Sequence, residues 1–416
     1  MNRFLTVVLS AAAICDAASA FAADQMITKA PQKVQSQDSN WTATFNTETR
    51  YFWWDSSRAF PTNNQASNVG GAAQQVYTPY GFELDGHPTE DLKVENEIRS
   101  GYVNSRQSSG GATGSYSGPV DTSVASTATY LGLKGVQPFA SINVNIPTGK
   151  SALFGNDAHA RLDSDVVDTP TFGQGLNVGP VVGVNLPFTK SLIVSISGGY
   201  TYQGPFDREA STFVGGVQGV NRLKPGDDTT VTANVKFRSA PWTLSASGSY
   251  MTETGANNDG VPSYKSGDRM SANASARYAW NADWSSKLGA SFTHQNKNNI
   301  TVLGLPGLFL EAFNSNSNVT TVKWDTTYSH GPWSAGPVAL FMFRDHNAYD
   351  VMNATFLPQK TKWSAGAAAS YDVTKQVTFN GRVEHMWLRE NPNPGTDIPA
   401  VTSQAWLILL GGTGNF

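Results

Sequence analysis

The chain has 416 residues, 39% hydrophobic and only 15% charged, with 21 Phe, 14 Tyr, 11 Trp, 39 Gly and a formal net charge of −3. That balance excludes a nucleic-acid binder resting on bulk positive charge, and the single cysteine, Cys15, excludes a disulfide framework or a Cys-ligated metal in the rest of the chain. Mean hydropathy is −0.30. The longest stretch without a strongly polar residue after the N-terminal segment, 405–412, is far shorter than the roughly 20 apolar residues a membrane-spanning helix needs.

In chain order, Arg3, the apolar stretch 4–14 and Ala20-Phe21-Ala22 read as an export signal with an A-x-A cleavage site. The expected organisation is a signal peptide over 1–22, a periplasmic lead over 23–40 and a transmembrane β-barrel over 41–416. A lipoprotein attached through Cys15 would need a small residue just before it, and Ile14 stands there.

From residue 41 onward nearly every segment alternates with period two, the signature of strands rather than helices. In 41–54, Trp41, Ala43, Phe45, Tyr51 and Trp53 share one face, and Thr42, Thr44, Asn46, Glu48 and Arg50 the other. The same reading predicts strands over 75–85, 92–103, 122–133, 137–146, 175–186, 191–203, 229–239, 242–252, 269–280, 284–295, 318–328, 333–346, 361–371, 377–388 and 401–416. The total is sixteen, with fourteen left open because Pro79 and the terminal glycines weaken two of them. Short connections alternate with long ones, as an up-and-down antiparallel barrel with short periplasmic turns and long extracellular loops requires.

Aromatic residues decide which face meets lipid. Trp242, Trp280, Trp284, Tyr328 and Trp333 lie near the short turns on the apolar face. Tyr51, Trp53, Tyr102, Tyr202, Tyr250, Phe292, Phe343, Trp363 and Trp387 lie near the long loops on that same face. Two aromatic belts flanking an aliphatic band form the lipid-facing pattern of a membrane barrel. A one-residue slip would turn Glu48 and Arg50 into lipid, and Arg at the midplane costs roughly 2 to 4 kcal/mol, so the register is strongly specified.

With its export signal, paired strands and final Phe416, the chain resembles Gram-negative outer-membrane β-barrels of the porin kind over its whole mature length. The usual terminal assembly pattern is altered, because Gly412 and Gly414 stand where larger apolar residues are common. Three segments, Asn145-Ile146-Pro147-Thr148-Gly149-Lys150, Leu176-Asn177-Val178-Gly179-Pro180 and Gly199-Tyr200-Thr201-Tyr202-Gln203-Gly204, are similar to the barrels of the MetA-pathway of phenol degradation family. That narrower resemblance implies passage of small, often aromatic, organic molecules.

Motifs for chemistry are weak. Pro147-Thr148-Gly149-Lys150-Ser151 lacks the first glycine of a phosphate loop, since Val144 occupies its place. Asp157, Asp163, Asp165 and Asp168 lack the glycine and distal glutamate of a calcium loop, so a solvated acidic loop is the simpler reading. His87, His159, His294, His330, His346 and His385 are scattered without a zinc spacing, and Gln295-Asn296-Lys297 after His294 departs from the His-x-Ser-Asn arrangement of outer-membrane phospholipases. Neither catalysis nor a cofactor or metal is expected.

The wet face carries the candidate site. Its first three strands hold Glu48, Arg50, Glu83, Asp85, Lys93, Glu95, Glu97 and Arg99, while later strands hold Lys236, Arg238, Arg269, Arg277, Lys287, Lys323, Arg344, Lys362 and Arg382 against Asp325 and Glu384. These residues are expected to line a pore, where charged walls set ion preference, although the same charges could merely pair and hydrate the lumen. The long loop 147–174 would place Asp163, Asp165 and Asp168 opposite the basic wall if it folds inward; the default is an outward loop. A second loop, with Leu303, Leu305, Leu308, Phe309, Leu310 and Phe313, suits a cap over the mouth or a contact with another protomer.

The resulting expectation is an outer-membrane channel for passive diffusion of small solutes through a polar, partly basic lumen. The alternatives are a substrate-specific transporter of hydrophobic or aromatic compounds, favoured by any apolar patch in the lumen, and a non-conducting structural or adhesive barrel. Expected partners are outer-membrane lipid, small-molecule solutes and the barrel-assembly machinery, with no nucleic acid; oligomer formation stays open.

Overall fold

The computed structural model describes residues 41–56, 71–109, 112–214, 217–302, 305–353, 355–396 and 398–416. The expected signal peptide and lead, and Leu303 of the second loop, lie outside them. One large antiparallel sheet contains β1 (Trp41–Ser56), β2 (Gly71–Thr89), β3 (Leu92–Ser109), β4 (Ala112–Pro119), β5 (Thr122–Tyr130), β6 (Gln137–Ile146), β7 (Asn177–Pro187) and β8 (Leu192–Gln203). Between β8 and the next barrel strand stand β9 (Phe206–Val214) and β10 (Val217–Lys224). The barrel resumes with β11 (Asp228–Ser239) and β12 (Trp242–Glu253), followed by the short β13 (Ala256–Asn258) and β14 (Val261–Lys265). After β15 (Arg269–Ala279) and β16 (Trp284–Gln295) come β17 (Asn299–Thr301) and β18 (Leu308–Leu310). The remaining barrel strands are β19 (Val319–His330), β20 (Trp333–Arg344), β21 (Lys360–Asp372), β22 (Val377–Glu390) and β23 (Val401–Asn415).

Every barrel strand pairs with its sequence neighbours, and β1 pairs with both β2 and β23, so the sheet closes on itself. Because β4 and β5 both pair with β3 and form one broken strand, the circumference holds sixteen strands. Closure is what lipid demands, since an unpaired strand edge cannot be solvated there. All sixteen expected segments are strands, several of them longer at the loop side; β2 begins at Gly71 rather than 75. Pro79 stays inside β2 at the cost of a break in the ladder: pairing with β1 lapses between Thr47↔Tyr80 and Arg50↔Tyr77, as a residue without N–H predicts.

At the seam, glycine in β23 is a requirement of space. A Cβ at Gly411 would lie 2.8 Å from the Glu48 Cβ. The seam is finished by Phe416, whose N–H and C=O bond to Ala43 at 2.8 and 3.0 Å. Aromatic residues ring the outside. On the turn side Trp242, Trp284 and Trp333 stand beside their cross-strand partners Tyr278, Tyr328 and Tyr371 with centroids 4.6, 4.9 and 4.3 Å apart. On the loop side Trp53, Tyr102, Trp363 and Trp387 are exposed. Exposed Val231, Val235, Leu244 and Leu288 fill the band between. An apolar exterior flanked by paired aromatic girdles, over inward-facing charged and polar side chains, makes this a transmembrane β-barrel.

Outside the membrane, three consecutive loops merge. β9, β10, β13, β14, β17 and β18 form one six-stranded sheet in the order β18-β17-β14-β13-β10-β9. Its β13–β14 hairpin turns on Asp259 and Gly260, both at positive φ (51° and 80°), the conformation a two-residue hairpin favours.

Candidate functional site

Residues 147–174, between β6 and β7, carry the candidate aspartates. One side chain ties the two ends of this loop together. Asp121, in the break between β4 and β5, accepts from the N–H groups of Gly149 at 2.9 Å and Gln174 at 2.7 Å, and from the Asn145 amide at 2.8 Å. Such charge-assisted bonds are stronger than neutral ones. Beyond this clamp Phe172 stacks on Tyr116 with centroids 4.4 Å apart. The first half of the loop docks on the extracellular hairpin: Glu209 of β9 accepts from the Leu153 N–H and from Arg161, both at 3.0 Å, while Arg161 donates to the Ser151 carbonyl at 2.5 Å.

Residues 160–169 then cross to the far wall. β6 and β7 are fifth and sixth around the barrel and β20–β22 thirteenth to fifteenth, half a circumference away. Lys360 Nζ lies 2.8 Å from Asp163 and 3.5 Å from Asp165, Arg344 lies 2.5 Å from Asp165, and Arg50 lies 2.5 Å from Asp168. Lys362 donates to the Asp165 carbonyl at 2.8 Å, Gln75 to the Thr169 carbonyl at 3.0 Å and Ser105 to the Ala160 carbonyl at 2.7 Å. A tight turn aims the two carboxylates at one wall: the Asp165 N–H donates to the Asp163 carboxylate at 2.8 Å, and the Val166 N–H to the Asp163 carbonyl at 3.0 Å. Burial alone would raise the Asp165 carboxyl; Arg344, Lys360 and Lys362 outweigh it and hold the group below the usual carboxylate range.

Apolar packing accompanies the ion pairs. Leu162, Val166 and Val167 of the loop form one buried cluster with Phe52, Trp54, Ala73, Met342, Met386, Leu388, Ala405 and Leu407 of the wall. Leu162 is 0% and Trp54 1% exposed. A small apolar cavity remains where Val166 meets Trp54, Lys362, Met386, Leu388 and Ala405.

The expected pore residues therefore fall into three groups. Glu48 and Arg50 are buried and paired with each other, as are Arg382 and Glu384, with Ser364 donating to Glu384 at 2.5 Å. Arg344 and Lys362 hold the loop. The loop folds inward rather than outward, and Asp163, Asp165 and Asp168 touch cations of this wall instead of only standing opposite them. A second group sits on the turn side of β2 and β3, where Glu83 faces Glu97, Asp85 faces Glu95, Lys93 lies 2.5 Å from Glu95 and Arg99 pairs with Glu97. The third spans β11 to β19: Lys236, Arg238, Arg277, with a Ser285 bond at 3.1 Å, Lys287 opposite Asp325, Lys323, and Arg269 at the extracellular end, 3.4 Å from Gln295. Their neighbours on the wet face are small: Ser245, Ser247, Ser249, Ser271, Asn273 and Ser275.

Three functional positions escape the sequence reading. Lys360 sits one residue before the expected strand 361–371, in phase with Lys362, and extending the alternation by one residue finds it. Asp121 and Glu209 lie where sequence shows only loop residues, and no periodic signal marks them.

No family model matches the chain, and neither does any curated protein. Among solved structures it is similar to Pseudomonas aeruginosa OpdQ (10% identity, 91% of this chain and 99% of that one, TM-score 0.43). It is also similar to Acinetobacter baumannii OccAB4 (7%, 91% and 99%, TM-score 0.42) and to in-vitro folded OmpT, an outer membrane protein of Vibrio cholerae (9%, 92% and 100%, TM-score 0.40). Likenesses this distant say nothing of cargo.

Proposed function

We propose that the protein is a passive outer-membrane channel whose path runs along the β5–β19 side of the lumen and favours small anionic solutes. The observation that carries this reading is the asymmetry of the lumen. Residues 160–169 occupy the β20–β3 wall and neutralise its cations, whereas Lys236, Arg238 and Arg277 on the other wall have no carboxylate within ion-pair range among the described residues. Cations on a polar wall raise the local concentration of anions and steer them inward. The loop acts as the constriction, limiting width rather than contributing charge, since its aspartates are already paired. The pathway asks no chemistry of any side chain. His294, near the rim, is held by Asn318 at 2.6 Å and Asn296 at 3.2 Å.

One observation favours a second reading, transport of small hydrophobic or aromatic compounds: Phe52, Trp54, Met386 and Leu388 face inward. They lie under the loop and outside the open path, so diffusion of polar solutes remains the first reading. The test is single-channel conductance of the refolded protein in a planar bilayer under a KCl gradient. Conductance with a reversal potential on the chloride side is expected; a barrel that does not conduct, or one that selects potassium, overturns the reading.

A further inference from the structure

The wall beneath the loop has a chemistry that the barrel alone does not need. Phe52, Trp54, Met342, Met386, Leu388 and Leu407 converge here, bordered on one side by Arg344, Lys360 and Lys362 and on another by Arg50. Of the wall's own carboxylates, Glu48 pairs with Arg50 and Glu390 lies 3.8 Å from Lys360, while Glu384 is taken by Arg382. The loop supplies further carboxylates. Residues 162–168 read Leu-Asp-Ser-Asp-Val-Val-Asp, and each half of that composition has a matching half on the wall. Carboxylates meet cations; Leu162, Val166 and Val167 meet the apolar patch.

We infer that this wall is a binding site for amphiphilic carboxylates, small molecules joining a carboxylate to a compact apolar body, and that residues 162–168 are a built-in occupant such a ligand displaces. The carboxylate takes the place of Asp163 or Asp165 at Lys360, Arg344 and Lys362. The apolar body takes the place of Val166 and Leu162 against Trp54, Met386 and Leu388, beginning at the small cavity that Val166 leaves unfilled. A ligand shifts the loop only by its differential affinity for the displaced state, and the site provides it because loop and ligand compete for the same groups. Displacement leaves the loop tethered through Asp121 and Glu209, whose bonds lie outside the contested wall. The inference rests on the channel reading only in that the lumen must admit the ligand.

The experiment uses the refolded full chain carrying Val166→Cys, with Cys15→Ser so that the introduced thiol is the sole one. Val166 is 7% exposed, so its thiol should react slowly with a maleimide. Saturating para-tert-butylbenzoate should speed the reaction about tenfold, whereas acetate, which lacks the apolar body, and para-tert-butylbenzamide, which lacks the charge, should leave it unchanged. In a second variant adding Lys360→Gln, the benzoate effect should be lost. No acceleration by benzoate, or equal acceleration by the amide, overturns the inference. Conductance recorded on the same preparation separates the two readings: a conducting barrel without acceleration sinks the site alone, and acceleration in a barrel that does not conduct sinks the channel alone.

Discussion

The two halves of the lumen are built on opposite principles. Where the loop covers the wall from β20 round to β3, charged residues are buried and paired, large apolar residues fill the gaps, and the loop lies against them like a second layer of core. From β5 to β19, many inward residues are serines, threonines, asparagines and other small residues, with Lys236, Arg238 and Arg277 among them and Lys287 opposite Asp325. The first half follows the rules of a protein interior, where each charge needs a partner. The second follows those of a surface. A barrel of this size cannot fill its lumen with side chains from the wall alone; the loop fills one half, and on the proposed channel reading the other half is left to water.

Breaking the packed half should give the largest effects. Asp165→Asn removes a buried partner of Arg344 and Lys360, a kind of loss that costs about 3 to 5 kcal/mol. The expected outcome is a loop that leaves the wall, read as a rise in single-channel conductance and faster protease cleavage within 161–169. Asp121→Ala acts at the hinge rather than the latch. It removes the acceptor for two loop N–H groups, each such bond worth about 1.5 to 3 kcal/mol, and should raise current noise while the Asp165 ion pairs persist; unchanged noise would deny Asp121 its clamping role.

Acid probes the same latch without mutation. The carboxyl of Asp165 is depressed, so its contribution to docking is complete above the unfolded value of about 3.9 and is lost as pH falls through the lower bound value. The groups facing it are Arg344, Lys360 and Lys362, and Asp163 and Glu390 share Lys360 with it. Conductance should be flat from about pH 8 to about pH 5 and rise only below about pH 4. A transition near neutral pH would point to another group.

The open half should show the smallest change in stability and a clear change in selectivity. Lys236→Gln is expected to alter stability by less than about 0.5 kcal/mol, as exposed substitutions do, while moving the reversal potential toward zero. An unchanged potential would remove Lys236 from the conducting path.

The difference between the halves also explains what sequence could reveal. Period-two alternation, with aromatic residues at strand ends, locates all sixteen strands and the lipid face, because each strand must satisfy lipid and lumen independently of its partners. The lumen contents are another matter. Arg344 and Lys362 look the same in sequence as Lys236 and Arg277, yet two are paired beneath a loop and two are not. That outcome depends on where residues 160–169 land, half a barrel away from their anchors. Asp121 resembles any loop aspartate until Gly149 and Gln174 are brought to it.

The merged extracellular sheet gives the mouth a handedness. Since β9, β10, β13, β14, β17 and β18 rise from the loops between β8 and β19, they continue the wall of that side outward as a parapet. Three loops that would each wander alone share a single hydrogen-bonded ladder, so a change in one is transmitted to its neighbours. On the proposed channel reading, a solute arriving from outside would meet that shared surface at the mouth.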